Sequence, residues 1–190
     1  MNKVVSMDSP SAQRNKAPIW DVLSKNVLSI LPSPIDKISV LEIACGCGVH
    51  TEFFVSKMIE ENKQQRVKIS WLPTDPDESS RDATEIRCCG GDNNSIMKES
   101  ILAPVSLTLD ENGPIEKDNI PMADDTIQLM LCINMIHISP WSATIGLMNL
   151  AKQKLDEGGI LYCYGPFKVN GIAVESNLRF DESLKSRDNS

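Results

Sequence analysis

The chain is predicted to be an α/β domain, a parallel sheet with helices on both faces. Three observations predict it. Apolar strand patterns at 38–44, 67–72, 105–109, 127–134 and 160–164 are separated by helical patterns or polar stretches. The run IQLMLCIN at 127–134 is almost continuously apolar, as in a strand covered on both faces. Between the first strand and the helix behind it stands Gly46-Cys47-Gly48. Such a glycine turn lets a ligand approach the backbone closely, and the helix start offers free N–H groups.

The elements follow in order. Pro18 opens a helical pattern through Ile19, Trp20, Leu23, Val27, Ile30 and Leu31, and Pro32 and Pro34 end it. The first strand leads into the glycine turn, and Phe54, Val55, Met58 and Ile59 form one face of the next helix. The second strand runs into Thr74-Asp75-Pro76-Asp77. Residues 77–100 are polar, with a weak helix and the loop Gly90-Gly91-Asp92-Asn93-Asn94. The short third strand is followed by the turn Glu111-Asn112-Gly113-Pro114. After the fourth strand, Ser139-Pro140 caps a helix bearing Trp141, Ile145, Met148, Ala151 and Leu155, which Gly158-Gly159 stop. The fifth strand ends at Gly165-Pro166. There is no internal repeat, so 1–13 reads as a flexible leader and 14–190 as a single domain.

Composition narrows the function. A chain of 190 residues, 41% apolar, suits one domain with a full core. It has no apolar run of about 18 residues to span a membrane, and its first residues lack the apolar core of a signal peptide. A net charge of −7 argues against broad nucleic-acid binding and favours a small molecule or a protein as partner. The six cysteines at 45, 47, 88, 89, 132 and 163 do not form a secreted disulfide framework, which points to a reducing cytosolic or nuclear compartment.

In a doubly wound sheet, ligands sit beyond the carboxyl ends of the strands, where Gly46, Asp75, Thr108, Asn134 and Tyr164 fall. A dinucleotide turn would carry a third glycine at position 51, which is Thr51 here. The shortened turn, with Glu42 four positions before Gly46, is similar to that of S-adenosylmethionine (SAM) methyltransferases. The match becomes specific at Asn134-Met135-Ile136-His137-Ile138-Ser139-Pro140-Trp141. Together with Arg14-Asn15-Lys16, Pro18-Ile19, Leu41-Glu42, Gly48-Val49-His50 and Tyr164-Gly165-Pro166-Phe167, it resembles the methyltransferase-like protein 26 family. Gly171, Glu175-Ser176-Asn177 and Phe180-Asp181 extend the likeness, which covers Arg14 to Arg187.

The resemblance implies a Rossmann-like class I sheet and SAM as cofactor, and it implies no substrate. Thr108 stands where the family pattern after Pro104 has an aspartate near the adenine, with Asp110 two residues on. The family continues into a W-G-x-R-D segment, a helix and two closing antiparallel strands. This chain is therefore expected to be a truncated or alternatively spliced form. Its fifth strand would lie at an open edge that invites self-association.

On this reading Glu42 holds the glycine turn, or the cofactor ammonium through it, and Ala44, Gly46 and Gly48 let the backbone approach the methionine part. Asp75 grips the ribose hydroxyls; Asp77 competes for that role but better suits a helix cap. Arg14 clamps a carboxylate of cofactor or substrate. On the acceptor side, Asn134 takes a hydrogen bond from a substrate amine, His137 takes a proton, and Tyr164 faces the acceptor. Each has a structural counterpart: strand-end charge, turn fixing or surface. Cys45, Cys47 and His50 form C-x-C-x-x-H, but zinc sites favour C-x₂₋₄-C pairs, and adjacent Cys88-Cys89 chelate poorly. Cys132, Cys163, Tyr162 and Trp141 read as core. The expected function is methyl transfer to a small molecule or protein side chain. The alternatives are a non-catalytic SAM-binding or regulatory protein, and a metal or redox protein using Cys45, Cys47 and His50.

Overall fold

The structure is a computed structural model that describes residues 8–30, 36–61, 67–90, 95–115 and 127–186. Leu31, Pro32, Pro34, the loop residues 91–94 and the terminus from Arg187 lie outside the described residues. In chain order come α1 (Pro10–Val22), a π-helical turn (Leu23–Val27), a 3₁₀ turn (Leu28–Ile30), β1 (Lys37–Ile43), α2 (Val49–Glu61), β2 (Lys68–Thr74), α3 (Glu78–Cys89) and α4 (Ser95–Ser100). Then follow β3 (Leu109–Asp110), β4 (Gly113–Pro114), β5 (Ile127–Ile133), α5 (Trp141–Lys154), β6 (Leu155–Tyr164) and α6 (Glu175–Lys185).

Four parallel strands form the sheet in the order β2-β1-β5-β6, and β3 and β4 make a separate antiparallel pair. Alternate residues go to opposite faces. Val40, Leu129 and Leu131 pack with Trp20 and Leu23 of α1 and its π turn and with Phe54 and Met58 of α2. Leu41, Met130 and Cys132 pack with Leu147 and Leu150 of α5. Both faces of β1 and β5 are thus covered, as the nearly continuous apolar run of β5 requires.

The expected third strand at 105–109 does not form. The segment meets β2 only at single bridges, Trp71 to Ile101 and Thr74 to Val105. Val105 N–H donates to the Pro73 carbonyl at 3.2 Å, so Pro73 presents its donor-less nitrogen to the same edge. Pro104 lacks a donor on the other side. Each proline withholds one ladder donor, the pairing stays at isolated bridges, and a sheet of four strands stands in place of the expected five.

Other boundaries move as well. α1 begins at Pro10 with Ser9 as its N-cap, so Pro18 lies inside the helix on an exposed position, and residues 10–13 of the expected leader are helical. Ala12 is the reason: it packs with Cys47, Val49 and Ala83, tying this end of α1 to the glycine turn. α5 stops at Lys154, and β6 starts at Leu155, paired with Ile127 ahead of a bulge. α5 also turns a different face inward. Trp141, Ile145 and Met148 are exposed, and Ala143, Leu147, Leu150 and Ala151 are buried. Gly146 sets this rotation by lying flat on β3, where a Cβ would strike the Asp110 carbonyl.

Glu42 sits one residue before the carboxyl end of β1 at 2% exposure. Its Oε2 accepts from Thr51 Oγ1 of α2 at 2.6 Å and from Trp71 Nε1 of β2 at 2.7 Å. Thr74 Oγ1 donates to the Glu42 carbonyl at 2.7 Å. Burial raises its carboxyl from 4.5 to about 7, against the pull of the Thr51 and Trp71 donors. In that interval the unfolded chain loses the proton first, so stability falls as pH rises from 4.5 to about 7. Glu42→Gln keeps an acceptor oxygen and is expected to remove that slope, worth up to about 3 kcal/mol. Urea unfolding of both proteins at several pH values checks this; equal slopes would refute it. Asp75, also raised by burial, acts in both proteins and does not alter the difference.

Gly48 and Gly46 both have positive φ, +73° and +57°. A Cβ on Gly48 would lie 2.9 Å from Thr84 Oγ1 and 3.0 Å from Thr84 Cα, whereas a Cβ on Gly46 meets nothing within 4 Å. Gly48→Ala is expected to destabilise by about 2–4 kcal/mol, strain plus overpacking. Gly46→Ala should show only the strain, about 1–2 kcal/mol. Chemical denaturation midpoints of the two variants test the order.

Candidate functional site

The chain runs from β1 to β2 on one side and later returns to β5 on the other, so the switch point of the topology lies between β1 and β5. A cavity of about 260 Å³ opens there, at the carboxyl ends of the strands. Its floor is the turn Ala44-Cys45-Gly46-Cys47 after β1, with Val49 and His50 of α2 behind. Asp75, following β2, forms one wall, and Ile133, Asn134, Met135 and Ile138, at the end of β5 and past it, form the other. Ser9, Ser11 and Ala12 at the start of α1 complete the lining.

Asp75 organises the turn. Its Oδ2 accepts from Gly46 N–H and its Oδ1 from Asp77 N–H, both at 2.9 Å. At 8% exposure its carboxyl is pushed above the usual range by burial, against those two backbone donors. Each oxygen keeps lone-pair capacity for a further donor. Thr84 Oγ1 donates to the Gly46 carbonyl at 2.8 Å, so α3 supports the turn from below. Asp77 accepts from Ser80 N–H and from the Ser79 and Ser80 hydroxyls, as the N-cap of α3.

Ala44 and Asn134 terminate adjacent strands in the left-handed region, at φ +57° and +61°. Such conformations are strained for residues other than glycine and collect at functional sites. Asn134 is held by its N–H, which donates to the Tyr164 carbonyl at 2.8 Å. His50 hydrogen-bonds through Nε2 to Asn15 Oδ1 at 2.8 Å. Burial, with Lys16 nearby, lowers its pKa to about 4. The ring is neutral near pH 7, and with the amide oxygen accepting, its proton is on Nε2.

Of the residues read from the sequence, the cavity gathers Ala44, Gly46, Asp75 and Asn134. The others lie elsewhere. Glu42 is beneath the floor, bound to Thr51 and Trp71. Gly48 packs on Thr84. Arg14 is exposed on α1, and its neighbour Asn15 makes the contact to the glycine-turn helix. Thr108 closes the β3–β4 pair by accepting from Ile115 N–H at 2.9 Å. His137 stacks edge-on against Phe180 of α6, 5.4 Å between centroids, and Tyr164 reaches the site through its carbonyl alone. For the metal alternative, among the described residues no three His, Cys, Asp or Glu side chains come together as ligands. Cys45 Sγ instead pairs with Thr84 Oγ1 at 3.5 Å. Sequence reasoning missed Ser9, Ser11 and Ala12; the pair Ser9-Pro10, an N-cap before a first-turn proline, was the available signal.

Solved structures share this architecture. DszA carbon methyltransferase matches with a TM-score of 0.57 at 16% identity, covering 93% of this chain and 40% of that one. A putative class I S-adenosylmethionine-dependent methyltransferase from Listeria monocytogenes matches at 0.55 and 10% identity, covering 99% of this chain and 54% of the other. CurJ carbon methyltransferase matches at 0.53 and 19%, covering 85% and 37%. The chain spans about half the length of the structures it matches, or less. At these identities the likeness is one of fold. The family model described as "Protein of unknown function (DUF938)" matches residues 6–190, and the chain belongs to that family.

Proposed function

We propose that this chain is a SAM-dependent methyltransferase domain of the methyltransferase-like protein 26 type, acting on a small molecule or a protein side chain. One observation carries the reading: a glycine turn and a buried acid, hydrogen-bonded to each other at 2.9 Å, line one cavity at the switch point of a parallel sheet. The residues fit the cofactor. Gly46 leaves open the space that a Cβ would fill, Asp75 retains acceptor capacity for ribose hydroxyls, and the start of α2 faces the cavity at Val49 and His50. When bound, SAM supplies a methyl group on a sulfonium. Transfer from it is an in-line displacement that needs alignment more than acid–base chemistry. Asn134, pinned by the Tyr164 carbonyl, and the apolar Ile133, Met135 and Ile138 are then the groups that orient an acceptor.

A non-catalytic SAM-binding role is favoured by a different fact. His137 and Tyr164, the residues expected to serve the acceptor, do not line the cavity. Self-association is proposed as well. Among the described residues nothing pairs with the outer edge of β6, and Tyr164 at its end and Phe167, Val169 and Ile172 after it are exposed. Sedimentation over a range of concentrations tests it, and a constant monomer mass would end the idea.

Calorimetry with SAM and with S-adenosylhomocysteine tests the cofactor. Asp75→Ala is expected to weaken S-adenosylhomocysteine by about tenfold to a hundredfold, from about 1.5–3 kcal/mol of lost hydrogen bonding. Gly46→Val should abolish binding in a protein that keeps its circular dichroism, because the side chain enters the cavity at a strained φ. Unchanged affinity in Asp75→Ala removes that residue from the site. No heat with the wild-type protein removes the cofactor. SAM binding with no methyl transfer to any acceptor tried under saturating SAM would favour the non-catalytic role.

A further inference from the structure

We propose that Cys132 and Cys163 form a peroxide-reactive dithiol that closes into a disulfide between β5 and β6, a modification site separate from the proposed cofactor contacts. The two residues are direct register partners in the parallel ladder. Partners in such a ladder stand on the same face, about 4.8 Å apart between backbones, inside the Cα window of about 4.4–6.8 Å that a disulfide spans. Both side chains belong to the apolar layer beneath α5.

Their environments differ in the way a reacting and a resolving thiol require. Cys132 is 1% exposed, while Cys163 is half-buried on the outermost strand of the sheet. The two facing thiols interact with each other, which holds Cys163 below the usual thiol range and raises Cys132. The remaining buried thiols are placed otherwise, Cys47 among Ala12, Val49 and Ala83. Cys45 is paired with Thr84 Oγ1, and Cys88 points at the Gly48 carbonyl at 3.9 Å. Burial pushes both well above the usual range.

The oxidant is hydrogen peroxide. The Cys163 thiolate attacks one oxygen of hydrogen peroxide, the O–O bond breaks, Cys163 becomes a sulfenic acid, and the departing hydroxide takes up the one proton that the thiol had released and leaves as water. Cys132 Sγ then displaces the sulfenic hydroxyl, which leaves as a second water with the Cys132 proton. The S–S bond forms, the two sulfurs together lose two electrons, and hydrogen peroxide is reduced to water. The bridge lies just before the hydrogen bond from Asn134 N–H to the Tyr164 carbonyl, so it fastens the strand ends at the mouth of the cavity.

The test is to expose the reduced, full-length protein to hydrogen peroxide, quench with acid, alkylate, and map peptides without reduction. The expected result is a mass loss of two hydrogens, reversed by reductant, with the Cys132 and Cys163 peptides joined. A bridge elsewhere, or no bridge while Cys163 proceeds to sulfinic acid, overturns the proposal. The wild-type map decides this whether or not a variant folds. Cys132→Ser adds the order of attack: a dimedone adduct at Cys163 supports it. In Cys163→Ser, an adduct at Cys132 would overturn it.

Discussion

The buried carboxyl of Glu42 is the interaction on which the rest of the site depends. One oxygen joins β1 to α2 through Thr51 and to β2 through Trp71, while the backbone of the same residue receives Thr74. These are the elements that carry the glycine turn and Asp75. Burying a polar group without partners is unfavourable, and a half-satisfied one is worse than an apolar residue. The donors therefore fix the packing angle of α2 as much as they stabilise Glu42. The turn above is then positioned from both sides, by its own strand and by the Asp75 oxygen on the Gly46 N–H.

Strain at the cavity rim has a matching support. Ala44 and Asn134 hold left-handed conformations that an unsupported chain would leave. Cys45 N–H donates to the Thr74 carbonyl at 2.8 Å, and Asn134 N–H donates to the Tyr164 carbonyl at the same distance. Each strained residue is thus locked by a hydrogen bond, made by itself or its neighbour, to an adjacent strand. This explains why the short chain segments leaving β1 and β5 diverge and leave a cavity instead of closing over the strand ends.

Most of the fold was legible because it rests on periodicity. The apolar runs at β1, β2 and β5 and the glycine turn are local signals, and the structure follows them. What was illegible depended on partners distant in sequence. The segment at 105–109 carries strand-like residues, but Pro73 and Pro104, one on each side of the pairing, each withhold one donor, and the pairing stays at isolated bridges. The beginning of α1 has no apolar stripe, and it becomes helical where Ala12 finds Cys47 and Ala83. The rotation of α5 was misread because the stripe Trp141, Ile145, Met148 looks more apolar than the face that is buried, and Gly146 against Asp110 decides otherwise.

The site divides along the same line. Asp75 and Gly46 were readable because position after a strand determines where the backbone goes. Arg14, His137 and Tyr164 lie off the cavity lining, and the direction in which a side chain points is not encoded by spacing alone. Their displacement has a consequence for the chemistry. On the proposed methyl-transfer reading, with His137 on Phe180 and Arg14 in solvent, the acceptor side of the cavity is left to Asn134 and the apolar Ile133, Met135 and Ile138. A wall with one amide and three apolar side chains selects by shape and by a single hydrogen bond, without a charged anchor. Selectivity in such a site falls on an acceptor's apolar contour, where each methylene is worth about 1–3 kcal/mol, and on the one polar group that Asn134 satisfies.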